Sequence, residues 1–317
     1  MEGWAFRDPD RLPFIKVYLV IFECSEELLS AANLFVARHK ENAELLDMRN
    51  QENWVHLFKR YVTLINEKGN VIVNRQNTHQ SLHVVESISH SFSSPSSRES
   101  MIQQLQNLIV RQIASQYSSQ VIIYAENATE MAAKMLALTA SGRGYSAPWE
   151  QAVLTRLSDG IWSSRPLKDL VASEIAYFNR LYGRDNVEDT HGSDSSKTNT
   201  TTLNSLTINY FADLEESFPS IVATVGRMSE KLALPLIRNE EKSMCLICAY
   251  PFEKGSDQWL NSVSVKTGVN TGNYTVNEGV DNQIINRRMC YGCLVAFRDL
   301  HGTTAWPDLE CTADKGV

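Results

Sequence analysis

The run Lys16–Phe22 is continuously β-branched and aromatic, the pattern of a buried strand. Behind it, Ser25 with Glu26 and Glu27 starts a helix whose apolar positions are Leu28, Leu29, Ala32, Leu34, Phe35 and Val36. A strand followed at once by a helix opens a βαβ unit. A second helix is predicted over Trp54, Val55, Leu57, Phe58, Tyr61, Val62 and Ile65, ended by Gly69, with a short strand at Val71–Val73. Residues 74–100 are polar and Ser-rich, which predicts a surface insertion. Helical period returns at Met101, Ile102, Leu105, Leu108, Ile109 and Ile113, and Val121–Tyr124 reads as the next buried strand. Asn127 and Glu130 have capping-box spacing at the start of a helix that turns Met131, Met135 and Leu138 inward. The segment from Ser141 to Gly144 closes that helix in a flexible turn.

Arg165–Asp169 leads into another helix, expected to bury Leu170, Val171, Ile175, Phe178 and Leu181, with Gly183 at its end. Residues 185–204 are almost wholly polar and predict a disordered linker before two more helices, Leu206–Ser217 and Pro219–Leu232. Alternation of strands and helices gives an α/β class. The expected organisation is an α/β domain over 1–184 carrying the insertion 74–100, the linker 185–204, and a helical segment with a small metal module over 205–317. A chain of 317 residues has room for this much.

Two hooks dominate the last third: Cys245-Leu-Ile-Cys248 and Cys290-Tyr-Gly-Cys293. A two-residue spacer lets both sulfurs of a hook face one point, so two hooks can close a tetrahedral S₄ cage around zinc. Gly292 lies inside the second hook, where a knuckle turn often needs a positive φ. Redox dithiols and unconnected thiols are the other readings of the same four residues. Four clustered cysteines are too few for a two-metal cross-brace.

Cys24 and Cys311 stand alone, which disfavours a secreted disulfide framework and suits a reducing, cytoplasmic compartment. No apolar run approaches the roughly 20 residues of a membrane helix, and the N-terminus has no signal-peptide pattern. His79, His83 and His90 fall in the polar stretch without neighbouring ligands and read as solvated. Arg165 and Lys168 suit either a phosphate or an exposed cap-and-charge arrangement with Asp169 and Glu174. The net charge of −7 argues against coating nucleic acid by bulk electrostatics. Residues 227–298 run the other way, with nine Lys/Arg against seven Asp/Glu.

Ile221–Leu232, the two hooks, Trp259-Leu-Asn261 and Trp306-Pro307 together resemble the second, non-catalytic subunit of the cytosolic tRNA wobble-uridine thiolase. Gly142-Arg-Gly144 and Arg165–Leu170 with Glu174 fit the same family. The resemblance implies a Rossmann-like domain of the PP-loop ATP-pyrophosphatase type with a C-terminal zinc-ribbon-like module. It also implies a heterodimer with a catalytic first subunit, tRNA as substrate of the complex, and a thiocarboxylated ubiquitin-related modifier as sulfur donor.

Against that family the chain is expected to begin at the second strand, without the first strand and the early cysteines. It contains no Ser-Gly-Gly-x-Asp-Ser phosphate loop, and Ala125-Glu126 stands where relatives carry Gly and a polar residue. No catalytic residue is therefore assigned. Arg287, Arg288 and Arg298 flank the second hook and are the candidate tRNA contacts, since Arg suits bidentate phosphate binding. Two other functions stay open at this level. One is an adenylating enzyme with a degenerate nucleotide loop; the other is a zinc-ribbon interaction module without an RNA role.

Overall fold

The computed structural model describes residues 17–21, 32–33, 36–37, 43–47, 62–66, 71–73, 90–182, 201–232, 243–252, 255–263, 289–301 and 303–307. The described strands form four small sheets within a mixed α/β architecture. β1 (Val17–Ile21) pairs in parallel with β2 (Ala43–Asp47). β3 (Val62–Asn66) lies between β4 (Val71–Val73) and the C-terminal β10 (Thr303–Pro307), antiparallel to both. β5 (Val121–Ile123) pairs in parallel with β7 (Trp162–Ser164), whose other edge takes β6 (Leu154–Arg156) antiparallel. β8 (Ser243–Met244) and β9 (Pro251–Phe252) make a hairpin. The two parallel pairs need crossover connections, as βαβ units supply.

The strand β3 corrects the helix expected to run through Val62 and Ile65. Val62-Thr-Leu-Ile65 is β-branched enough for either state, and pairing on both edges settles it as strand. The first part of that expected helix, Trp54–Tyr61, lies outside the described residues.

The long helix α1 (Pro95–Gln116) begins six residues earlier than its apolar period, which corrects the last part of the predicted insertion. Pro95 takes the first helical position, where its fixed φ is favourable and its missing N–H costs nothing. Ser97 Oγ donates to Asp299 Oδ2 at 2.6 Å, and Phe92, 1% exposed, meets Phe297 edge-on at 5.5 Å. His90 is exposed. His79 and His83, with the rest of 74–89, lie outside the described residues, as do Cys24, Cys311 and linker residues 185–200.

α2 (Ala128–Ala140) starts as the sequence predicts: Asn127 Oδ1 accepts from the Glu130 amide at 3.0 Å, and Glu130 accepts from the Asn127 amide at 3.1 Å. α3 (Ala147–Gln151) and α4 (Ala172–Leu181) follow. α4 buries none of its residues, against expectation; Phe178 and Leu181 are 51% and 64% exposed. Periodicity identifies an apolar stripe and leaves open what the stripe faces. α5 (Leu203–Ser217) starts inside the predicted linker, with Thr202 Oγ1 accepting from the Ser205 amide at 3.1 Å. α6 (Pro219–Glu230) follows, and Phe211 of α5 and Val222 of α6 close a small core over Ala128, Ala132 and Ala133 of α2.

Among the described residues, the largest core joins α1 to the cysteine hooks. Met101, Leu105, Leu108, Ile109 and Ile113 line the buried face of α1. Against them lie Ile247, Phe252, Met289 and, from α8 (Tyr291–Phe297), Ala296 and Phe297. Between the hooks in sequence stands α7 (Ser256–Val263). The hooks are thus built into the shared interior rather than hung from it.

Candidate metal centre

The first hook is the turn of the β8–β9 hairpin. The Ala249 amide donates to Cys245 O and the Cys245 amide to Tyr250 O, both at 3.0 Å, and Ala249 takes the left-handed φ of 53° that completes the knuckle. The second hook opens α8, with Cys290 at the N-cap and Cys293 in the first turn. This differs from a zinc ribbon, in which a second hairpin would be expected. The apolar run Leu294-Val-Ala-Phe297 continues as helix because it buries Ala296 and Phe297 in the core with α1.

These two supports bring all four sulfurs within 4.8 Å of one another. Cys248 and Cys290 Sγ stand 3.8 Å apart. That is far beyond the roughly 2.05 Å of a disulfide. A tetrahedral S₄ cage with metal–sulfur bonds of about 2.3 Å has edges of about 3.8 Å, so the spacing fits a metal. The Cys290 amide donates to Cys245 Sγ at 3.3 Å. Burial raises the Cys245 thiol, but hydrogen bonds with Cys248, Cys290 and Cys293 outweigh it and hold the group well below its ordinary value. Cys293 is pushed the other way, by burial first. A divalent cation would ionise all four. Four soft donors in one buried pocket can bind a metal.

Arg143 completes the surroundings. Its Nη1 donates toward Cys293 Sγ at 3.6 Å, and the side chain is 4% exposed. Burial works against its charge, yet Cys293, Cys290 and Cys248 hold it firmly protonated. The close approach depends on Gly292, although not through a positive φ as the hook alone suggests. A Cβ at Gly292 would lie 2.4 Å from Arg143 Cγ and 3.1 Å from Gly142 O. Gly142, at φ +75°, makes the tight turn from the end of α2 that delivers Arg143.

A second charged group stands beside it. Glu126 Oε2 accepts from Arg165 Nε at 2.6 Å and its Oε1 from Lys134 Nζ at 2.7 Å. Lys134 also reaches Glu150 at 3.6 Å, and Arg165 lies over the Tyr124 ring at 4.7 Å. Arg165 and Lys168 are 2% and 3% exposed, which removes the exposed cap-and-charge reading; the Glu174 carboxylate instead accepts from the Val171 amide at 3.0 Å. Burial raises Glu126, but Lys134 and Arg165 win and lower it below its ordinary 4.5. Burial lowers Lys134, but Glu126 and Glu150 raise it above 10.5.

The carboxylate therefore stabilises the fold fully above pH 4.5, and that stability is lost as pH falls through the depressed value. Lys134 contributes fully below 10.5 and loses its contribution as pH rises past its raised value. Both side chains are about a quarter exposed, 23% and 25%, so the expected contribution is modest, about 1 kcal/mol. Urea melts of Glu126→Gln against the unaltered chain should differ at pH 7, and the difference should shrink as pH falls below 4.5. A difference that does not change with pH would show that packing, and not charge, is what the substitution removes.

A family profile described as Cytoplasmic tRNA 2-thiolation protein 2 matches residues 202–295, the span from the cap of α5 through both hooks. Relatives of that name match over longer stretches. The Schizosaccharomyces pombe protein is 28% identical over 244 residues, covering 77% of this chain and 60% of the relative. The Pyrenophora tritici-repentis protein is 30% identical over 220 residues, covering 64% and 53%. The Kluyveromyces lactis protein is 22% identical over 313 residues, covering 86% and 67%. The chain is similar to proteins of this name over these stretches. It spans 60%, 55% and 53% of the length of three curated relatives.

The structure brings together all four cysteines chosen from sequence. Of the candidate tRNA contacts, Arg298 is exposed immediately after α8, while Arg287 and Arg288 lie outside the described residues. Sequence reasoning left out Arg143, Glu126 and Lys134 as site residues. The available signal was Gly142-Arg-Gly144, an arginine between two glycines at the end of a capped helix, where the backbone is free to approach another element closely.

Proposed function

We propose that this chain is the non-catalytic subunit of a cytoplasmic tRNA 2-thiolation complex, supporting sulfur transfer to the wobble uridine by a catalytic partner subunit. The observation that carries the reading is the family match across α5, α6 and both hooks, which takes in every residue of the cysteine cluster. In this reading the cluster holds one structural zinc. The α/β unit over 1–184 is a PP-loop-type domain in heterodimeric contact with the partner, and it shares its core with the module that follows. The partner receives sulfur from a thiocarboxylated ubiquitin-related modifier, and the chain itself supplies no catalytic residue. Arg287, Arg288 and Arg298 contact tRNA phosphates.

Deletion of the gene, followed by electrophoresis of tRNA through a mercury-containing gel, should abolish the retarded, thiolated species, and the chain should co-purify with a catalytic subunit. Retained thiolation would overturn the reading. In the assembled complex, Arg287→Ala with Arg288→Ala should weaken tRNA binding and reduce its salt dependence by about two phosphate contacts, with metal content unchanged. Equal affinity and equal salt slope would return both residues to ordinary surface.

A further inference from the structure

The four cysteines of the cluster differ in their access to solvent. Cys245, Cys248 and Cys293 are 2%, 4% and 0% exposed, whereas Cys290 is only partly buried. Its place in the chain accounts for this. Cys290 stands at the N-cap of α8, while Cys293 lies in the first turn of a helix that Ala296 and Phe297 draw into the core. The first hook is enclosed because its hairpin turn packs Ile247 and Ala249 into the same core. Cys290 is thus the one member of the cluster with appreciable surface.

Hydrogen bonding divides the sulfurs further. Cys245 Sγ accepts from the Cys290 amide at 3.3 Å, and Cys293 Sγ accepts from Arg143 Nη1 at 3.6 Å. A donor that stabilises a thiolate also lowers its nucleophilicity. Among the described residues, no N–H donates to Cys248 or Cys290, and these two sulfurs, on different hooks, stand 3.8 Å apart. An accessible thiolate beside a second one suits oxidation in two steps, the first sulfur attacking the oxidant and the second resolving the product.

We infer that Cys290 is the site at which a peroxide opens the cluster, and that Cys248 resolves it, joining the hooks by a disulfide. With hydrogen peroxide, the Cys290 sulfur attacks one oxygen: the S–O bond forms, the O–O bond breaks, and hydroxide leaves to take up a proton as water. The Cys248 sulfur then attacks the sulfenic sulfur; the S–S bond forms, the S–O bond breaks, and a second hydroxide leaves as water in the same way. The two thiolates give up two electrons and the peroxide accepts them. With two of its four donors consumed, the site no longer closes a tetrahedral cage. A thiol reductant reverses the bridge by exchange. The order of reaction follows from the arrangement of the sulfurs, whereas release of zinc rests on the reading of the cluster as a structural zinc site.

Two measurements on the full chain as purified, after its metal content is determined, test this. Both are repeated on Cys24→Ser with Cys311→Ser, which takes the thiols outside the cluster out of the count. Under limiting N-ethylmaleimide, peptide mass spectrometry should find most of the label that reaches the cluster on Cys290. Under excess hydrogen peroxide, about one zinc per chain should pass to a chelating dye, and the peptide map should link Cys248 to Cys290. Dithiothreitol with added zinc should restore the free thiols and the metal.

First labelling at Cys245, Cys248 or Cys293 would overturn the inference, as would equal labelling of all four, which would mean that the cluster opens as a whole. A bridge within one hook, or thiols that stay free under the oxidant, would overturn it too. A chain that carries no zinc, yet reacts first at Cys290 and bridges to Cys248, would sink the zinc reading alone. Bound zinc with first reaction at another cysteine would sink this inference alone.

Discussion

Cys293→Ser is expected to abolish metal binding and to lower the thermal midpoint by roughly 10 °C or more. Cys293 is fully buried in the core that also holds Met101, Leu105, Ile247 and Met289. A serine hydroxyl does not ionise near neutral pH, so it cannot complete the thiolate cage. The three remaining thiols would then sit in an apolar interior with no cation to compensate them, a state that favours opening. Structural zinc in small domains contributes about 10–16 kcal/mol of apparent binding energy, most of it felt as folding energy. Elemental analysis and a melting curve check the outcome. The unaltered chain should carry about one zinc. Full metal content and an unchanged midpoint in the variant would refute the tetrathiolate assignment.

Arg143→Leu is expected to destabilise the chain by about 3–5 kcal/mol, the usual consequence of removing one partner from a buried charge pair. The reason lies in the charge of the cluster. Four thiolates around a divalent cation leave two excess negative charges in a buried site, and Arg143 is the guanidinium placed against them. Leucine fills similar space and brings no charge, so the anion is left uncompensated. Arg143→Lys should recover part of the loss, because it restores the charge without the planar fork. A second measurement separates electrostatics from packing. In the cobalt-substituted chain, loss of the donor to Cys293 raises electron density on that sulfur. The thiolate-to-cobalt band should then move to lower energy in Arg143→Leu and less in Arg143→Lys. A large stability loss with an unmoved band would make Arg143 a packing residue.

Local rules carried the sequence reading where the structure is local. The capping box at Asn127 and Glu130 is decided within four residues, and each hook is decided by its own spacing. Elsewhere the deciding contact is distant. Val62–Asn66 is a strand paired on both edges, by nearby Val71–Val73 and by Thr303–Pro307, and nothing near residue 62 announces the second partner. The stripe on α4 is legible, whereas its exposure is not, since periodicity carries no information about neighbours. Gly292 was correctly singled out for the wrong cause: a glycine looks the same in sequence whether it serves a turn or makes room for Arg143. Arg165 reads as a phosphate ligand or an exposed cap charge until the fold sets Glu126 between it and Lys134.

The interlock of Gly292 with Arg143 has a consequence for the order of events as the chain is made. Cys293 and Arg143 are 150 residues apart, and Cys245 and Cys290 are 45 apart. Until residue 293 has left the ribosome the cage cannot close, so metal capture is a late step of synthesis. Ten of the sixteen buried residues of the core that includes the α1 face come from residues 245–300, and Met101, Leu105, Leu108 and Ile109 therefore wait uncovered while some 150 further residues are translated. A nascent apolar face of that size is a natural substrate for holding chaperones. A chain broken off before the second hook would keep the face permanently open, and its fate would be aggregation or degradation rather than a smaller working protein.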